Sequence, residues 1–294
     1  AALCGVVGFK PTYGRVSRYG IIPLGSSLDQ AGVFAKDVST VAKVMNVISG
    51  HDEKDATSSG RETPDYEGGL AGEPRGLRVG VISEVNKSGD LAHEIGEALE
   101  RALGILIGKG FQKTDVSLPH LGSAVAVYYI VLPAEASSNL ARYDGIHFAA
   151  REAGKTLLER YIETRSAGFG DEPKRRISIG AFVLSAGYQD AYYHRAQAVR
   201  TLIARDFEEA FKEVDVILAP TTPTTAFKIG EKQTPLEMYR SDIYTIPANL
   251  AGLPAISVPA GTDAAGLPVG LQIIGPRWGD ETVLRVAAAL EAGL

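Results

Sequence analysis

Leu77-Arg78-Val79-Gly80-Val81-Ile82, a periodic stretch over 90–107, and Phe111-Gln112-Lys113-Thr114-Asp115-Val116 form the part of the chain whose reading decides the fold. The outer pieces are short runs rich in β-branched residues. The middle piece sets Ile95, Leu99, Ala102, Leu103 and Leu106 on one face at helical spacing, and Gly108 and Gly110 close it. Strand, helix, strand is the building unit of an α/β protein. Working outward, the alternation continues. Residues 38–49 place Val38, Val41, Ala42, Met45 and Ile48 on one face, with Asp37 as N-cap and Gly50 just past the end. The polar stretch 51–76 reads as a surface loop. On the C-terminal side, helices are predicted over 123–131, 151–166, 174–184 and 191–214. A buried strand is predicted over 215–219, and further strands over 255–258 and 269–274. A last helix over 280–292 turns Val283, Val286, Ala287 and Leu290 inward. No repeat, linker or low-complexity tract interrupts this order, so the expectation is a single α/β domain over 1–294, with helices around a mixed sheet.

Composition narrows the function classes. Of the 294 residues, 45% are hydrophobic and 22% charged, which supplies a core and excludes a wholly disordered chain. The net charge of −5 argues against a surface built mainly for nucleic-acid phosphates and leaves room for a local basic patch. The single cysteine, Cys4, rules out an internal disulfide and a cysteine-based zinc site, which points to a reducing compartment. No apolar run has the length of a membrane span. The chain opens Ala1-Ala2-Leu3-Cys4-Gly5-Val6-Val7-Gly8-Phe9 without an initiator methionine. A processed start and a piece of a longer chain are both open readings of that opening.

Most short motifs are absent. Gly154-Lys155-Thr156 has Ala149 where a phosphate loop needs glycine, and no serine sits in a G-x-S-x-G elbow. The histidines His51, His93, His120, His147 and His194 show no metal-ligand spacing and read as surface or capping residues. Asn86-Lys87-Ser88 matches a glycosylation sequon by chance. Two features survive. Lys174-Arg175-Arg176 opens a predicted helix, where the dipole disfavours cations, so an anion or acidic partner is expected beside it. Asp242, between Arg240 and the string Thr245-Ile246-Pro247-Ala248-Asn249, is by itself a cap or an ion-pair partner of Arg240.

Longer strings carry a resemblance. Ala1 to Gly14, with Gly5-Val6-Val7-Gly8-Phe9-Lys10-Pro11-Thr12, is similar to the segment that follows the serine nucleophile in the amidase signature family. Tyr13-Gly14-Arg15-Val16-Ser17-Arg18-Tyr19-Gly20, Ser26-Ser27-Leu28-Asp29-Gln30, Glu135-Ala136-Ser137-Ser138-Asn139-Leu140, Gly168-Phe169-Gly170 and Ala219-Pro220-Thr221-Thr222-Pro223-Thr224 narrow it. Together they resemble the branch formed by the A subunits of glutamyl-tRNA(Gln) amidotransferases, along the whole chain.

The resemblance implies an α/β/α sandwich with a mixed central sheet, of which the N-terminal part lies outside this sequence. It also implies glutamine hydrolysis by a lysine, a bridging serine and a nucleophilic serine, all expected ahead of Ala1, so that residues 1–294 alone are expected to be inactive. It implies a pocket in which Tyr128, one of Arg175 and Arg176, and Asp242 hold the substrate. A guanidinium grips a carboxylate through two parallel hydrogen bonds while an aspartate pairs with the α-ammonium, and of the two arginines Arg176 is the preferred one. No metal and no cofactor are expected in this subunit, ATP and Mg²⁺ being used by the partner B subunit. The implied partners are subunits B and C, glutamine and Glu-tRNA(Gln), without a membrane, in the cytoplasm. The competing readings are a stand-alone amidase and a non-catalytic assembly module.

Overall fold

The computed structural model describes residues 1–72, 74–85, 91–148, 150–232 and 234–294. Its backbone divides into two compact units. The first comprises Ala1–Tyr19, Gln30–Val125 and Thr201–Leu294; the second comprises Gly20–Asp29 and Ala126–Arg200. The sequon Asn86-Lys87-Ser88, Ala149 and the first residue of the predicted 90–107 helix lie outside the described residues.

The first unit holds a mixed sheet. Its strands are β1 (Val7–Lys10), β2 (Val33–Ala35), β3 (Arg78–Ile82), β4 (Gln112–Val116), β5 (Val216–Pro220), β6 (Ala255–Thr262) and β7 (Pro268–Ile274), in the order β2-β1-β6-β7-β5-β3-β4. β3 runs parallel to β4 and to β5, while the other neighbours are antiparallel. Between β3 and β4 the chain makes helix α2 (His93–Gly108), so the strand–helix–strand unit read from the sequence is the parallel half of the sheet. β5 is buried at every position, as a strand covered on both faces must be. α1 (Val38–Ile48), α2 and α9 (Asp280–Glu291) share one core with the sheet. That core gathers Val41, Met45, Leu99, Leu106, Leu271, Ile273, Val283 and Leu290. Asp37 caps α1 as expected, accepting from the Thr40 amide at 2.7 Å.

Asp280 fastens α9 to the segment after β1. It is almost fully buried and accepts from the Thr12 amide at 2.8 Å and the Thr12 hydroxyl at 2.6 Å. The Arg15 Nε lies 4.0 Å from the same carboxylate.

The second unit is helical among the described residues. α3 (Ala124–Asn139) enters it at Ala126, followed by α4 (Leu157–Gly168), α5 (Asp171–Val183), a π-helical turn at Asp190–His194, and the start of α6 (Arg195–Glu213). α3 and α5 cross closely. A Cβ on Gly180 would stand 1.9 Å from the Pro133 carbonyl oxygen, so only glycine fits there.

Several predicted boundaries move, each for a local reason. The 123–131 helix continues through Pro133 to Asn139. The 151–166 helix begins at Leu157, because Thr156 and Glu159 form a reciprocal capping box. The 174–184 helix begins at Asp171, with Asp171 and Glu172 in its first turn. Two short helices, α7 (Pro235–Arg240) and α8 (Ile246–Leu250), and strands β1 and β2 were not anticipated.

Candidate functional site

The earlier start of α5 changes the meaning of Lys174-Arg175-Arg176. The triplet lies in the second turn of the helix, and its acidic partner is the helix's own Glu172, one turn earlier. Arg176 Nε donates to Glu172 Oε1 at 2.9 Å, and Arg175 Nη1 pairs with Oε2 of the same carboxylate. The two arginines differ in what else they meet. Arg175 is 44% exposed, whereas Arg176 is 19% exposed and its guanidinium lies 5.9 Å from the centre of the Tyr129 ring. Burial alone would lower the Arg176 pKa. Hydrogen bonds to Glu172 and to the Tyr128 hydroxyl outweigh that and raise it, so the cation is fixed. Tyr128 and Tyr129 pack edge to face, with centroids 4.8 Å apart. Tyr128 and Arg176 are thus brought together within the helical unit, on α3 and α5.

Asp242 belongs to the sheet unit. It sits in the turn between α7 and α8, its amide donating to the Tyr239 carbonyl at 3.1 Å and its own carbonyl receiving the amides of Thr245 and Ile246 at 3.1 and 3.0 Å. The first amide of α8, that of Ile246, and the Thr245 amide before it are therefore satisfied by the Asp242 carbonyl. The residue preceding the helix, Thr245, makes no side-chain cap.

A second set of groups, not anticipated from the sequence, lines a cavity of about 330 Å³ in the sheet unit: Lys10, Gln30, Thr221, Ser257 and Gln272. Lys10 Nζ donates to the Leu253 carbonyl. Burial lowers its pKa to about 7, against a smaller opposing pull from Asp280, so near neutrality this amine gives or takes a proton readily. The hydroxyls of Thr221 and Ser257 bond each other at 2.9 Å. Gln272 Nε2 donates to the carbonyls of Pro220 and Tyr244 at 2.9 and 2.7 Å. Gln30 keeps a buried Oε1 with no hydrogen-bond partner among the described residues. The sequence signal was available in part: a lysine closing an apolar run, and the unusual Thr221-Thr222-Pro223-Thr224-Thr225 loop. Their convergence needs β1 and β6 to be neighbours, which no local pattern states.

Other polar residues are structurally engaged. The Ser27 hydroxyl donates to Glu135 at 2.6 Å and accepts from Arg200 at 2.6 Å, while those of Ser137 and Ser138 bond back to the Ala134 carbonyl within α3. The histidines lie at the surface, as read from the sequence, and three of them have carboxylate partners that the sequence did not show: His120 meets Asp206, His147 meets Asp144 and His194 meets Asp190, at 3.0, 2.8 and 2.9 Å. Among the described residues no group of three or more His, Cys, Asp or Glu is placed to hold a metal ion, and no helix is long and apolar enough to cross a membrane.

Known proteins fit this architecture. The amidase family model matches residues 1–284. The A subunit of the glutamyl-tRNA(Gln) amidotransferase of Halothermothrix orenii is 53% identical over 100% of this chain and 62% of its own length. Its counterpart in Geobacter metallireducens is 54% identical over 99% of the chain and 60% of its own. The chain thus spans about three fifths of the curated relatives it matches. Among solved structures, the A subunit of the glutamyl-tRNA(Gln) amidotransferase of Thermotoga maritima superimposes with a TM-score of 0.80 at 45% identity, covering 99% of this chain and 58% of that one. A 6-aminohexanoate cyclic dimer hydrolase gives the same TM-score at 25% identity, covering 61% of its own chain. The mixed sheet order, the family match over almost the whole sequence and the agreement with solved amidase-type structures lead to one assignment: the chain belongs to the amidase family.

Proposed function

We propose that the chain is part of the glutamine-hydrolysing A subunit of a glutamyl-tRNA(Gln) amidotransferase, which supplies ammonia for converting Glu-tRNA(Gln) to Gln-tRNA(Gln). The observation that carries this reading is an identity above one half, over the full chain, to relatives named as that subunit. It is supported by the partly buried Arg176 cation, which pairs with Glu172 at 2.9 Å and whose pKa is raised by Glu172 and by the Tyr128 side chain. Glutamine needs one cation for its α-carboxylate and one anion for its α-ammonium, and in this proposal Arg176 and Asp242 supply them. Acyl transfer follows the Ser–Ser–Lys pattern of the family, with those three residues contributed by sequence ahead of Ala1. Residues 1–294 alone are then inactive. Subunits B and C complete a heterotrimer in the cytoplasm, and ATP and Mg²⁺ are used by the B subunit.

The test uses the intact parent protein. Asp242→Ala is expected to raise the glutamine KM by an amount worth about 2–5 kcal/mol, with the fold retained. Arg176→Lys, which keeps the charge and loses the fork, is expected to raise KM less. Unchanged glutamine kinetics together with a lowered melting temperature would return both residues to structural roles.

A further inference from the structure

The net charge is negative, yet the sheet unit gathers cations around aromatic rings in one place. The guanidinium carbons of Arg15, Arg61 and Arg277 lie 4.8, 5.2 and 5.4 Å from the centre of the Trp278 ring. Arg18 lies 5.2 Å from the Tyr13 ring, and Lys54 Nζ lies 5.0 Å from that of Tyr19, which is 64% exposed. The three contributing segments are tied together: the Ser59 amide donates to the Gly14 carbonyl at 2.8 Å, and the Trp278 amide donates to the Thr12 hydroxyl at 3.0 Å.

Three guanidinium groups around one indole repel one another, and individual cation–π contacts are weak at an exposed site. The carboxylates nearby offset only part of this. Asp280 answers Arg15, Asp55 answers Arg18, and Asp52 is turned into its own loop, accepting from the Ser17 hydroxyl and the Lys54 amide. Arg61 and Arg277 are exposed, and among the described residues neither side chain has an ion pair or hydrogen bond. Trp278 is also the one non-glycine residue of the described chain with positive φ, at 70°. A bulky side chain held in that conformation is over-determined by its surroundings. The ring thus carries two solvent-facing guanidinium groups that make no ion pair among the described residues, with the exposed Glu62 next to Arg61 in sequence.

We propose that this face binds the sugar–phosphate backbone of RNA. Arg61 and Arg277 grip phosphates through paired N–H donors, and the exposed Tyr19 ring offers a stacking surface to an unpaired base. A polymer fits better than a single small anion, because the basic and aromatic groups extend along three chain segments rather than converging on one point. The inference deepens the amidotransferase reading, and rests on it for the choice of tRNA as the RNA.

The experiment titrates the intact parent protein with a tRNA(Gln) transcript, read by anisotropy of the labelled RNA. Arg61→Ala with Arg277→Ala is expected to weaken binding at least about tenfold at low salt, and to reduce the salt slope by about one unit per arginine. Circular dichroism checks that the fold is kept. Equal affinity of the double variant, absence of binding by the folded parent, or equally effective competition by pyrophosphate at matched phosphate concentration would each overturn the proposal. Glutamine hydrolysis by the intact parent is measured in parallel. Loss of RNA affinity with hydrolysis intact supports both readings. Arginine-dependent RNA binding by a parent that does not hydrolyse glutamine overturns the function proposed above and leaves this surface standing.

Discussion

The sheet unit and the helical unit are held by different means. In the first, β5 is buried at all five positions, and Leu271, Ile273, Met45 and Leu290 lie at 0% exposure in one shared core. In the second, apolar side chains remain open to solvent, with Leu158 66% exposed, Ile162 53% and Phe182 49%. Its order comes instead from local polar devices: the Thr156–Glu159 capping box, Asp144 receiving the amides of Ile146 and His147, and the Ser27 hydroxyl between Glu135 and Arg200. The difference teaches that one unit is stabilised mainly by burial and the other by small, separable hydrogen-bonded motifs, which respond very differently to mutation.

The sharpest break of this contrast is Asp280→Ala. It strips the buried Thr12 hydroxyl and the Arg15 guanidinium of their shared acceptor, and the expected loss is about 3–5 kcal/mol, read as a fall in the urea midpoint by Trp278 fluorescence. A loss below about 1 kcal/mol would mean that solvent reaches this site and that polar burial does not anchor α9.

Lys10 gives the next largest effect, through pH. Its folded pKa is about 7, against 10.5 as the ordinary value, so between these the unfolded chain carries the extra proton. Stability contributed by this group therefore rises with pH across 7 to 10.5 and is flat below 7. The rise is of order 2–4 kcal/mol after allowing for relaxation around the charge. Lys10→Met is expected to flatten the urea midpoint against pH in that window. A wild-type profile already flat there would show the amine to be charged in the folded protein.

The smallest effect belongs to the helical unit. Thr156→Ala removes the acceptor of the Glu159 amide, and is expected to cost about 1 kcal/mol, seen as faster amide exchange in the first turn of α4 while the α2 amides are unchanged.

What was legible in the sequence follows the same division. α1, α2, α9, β3, β5 and β7 show through their apolar positions, because each contributes them to one core, whereas β4, exposed at three of its five positions, shows mainly through its place directly after α2. β1 and β2 escaped because strands of four and three residues carry too few positions to display alternation. In the helical unit, weak amphipathicity blurred the ends, and placing the start of α5 at Lys174 concealed that Glu172 is the acidic partner of both arginines. Tyr128 and Arg176 were readable as a pair only through long family-like strings, since nothing in either residue's own spacing brings α3 to α5. Lys10 was hidden for the opposite reason: a lysine at a strand end ordinarily marks solvent, and only the long-range neighbours of β1 bury it.

The pairing of β1 with β6 has a consequence for synthesis. Phe9 and Ile256 face each other although they are roughly 250 residues apart, so at ordinary translation rates of about 5–20 residues per second β1 emerges from the ribosome tens of seconds before its neighbour exists. During that interval the β1 edge that will face β6 lacks its hydrogen-bonding partner, and the side chains of Val7 and Phe9 lack part of the core that buries them, until the hairpin β6–β7 is made.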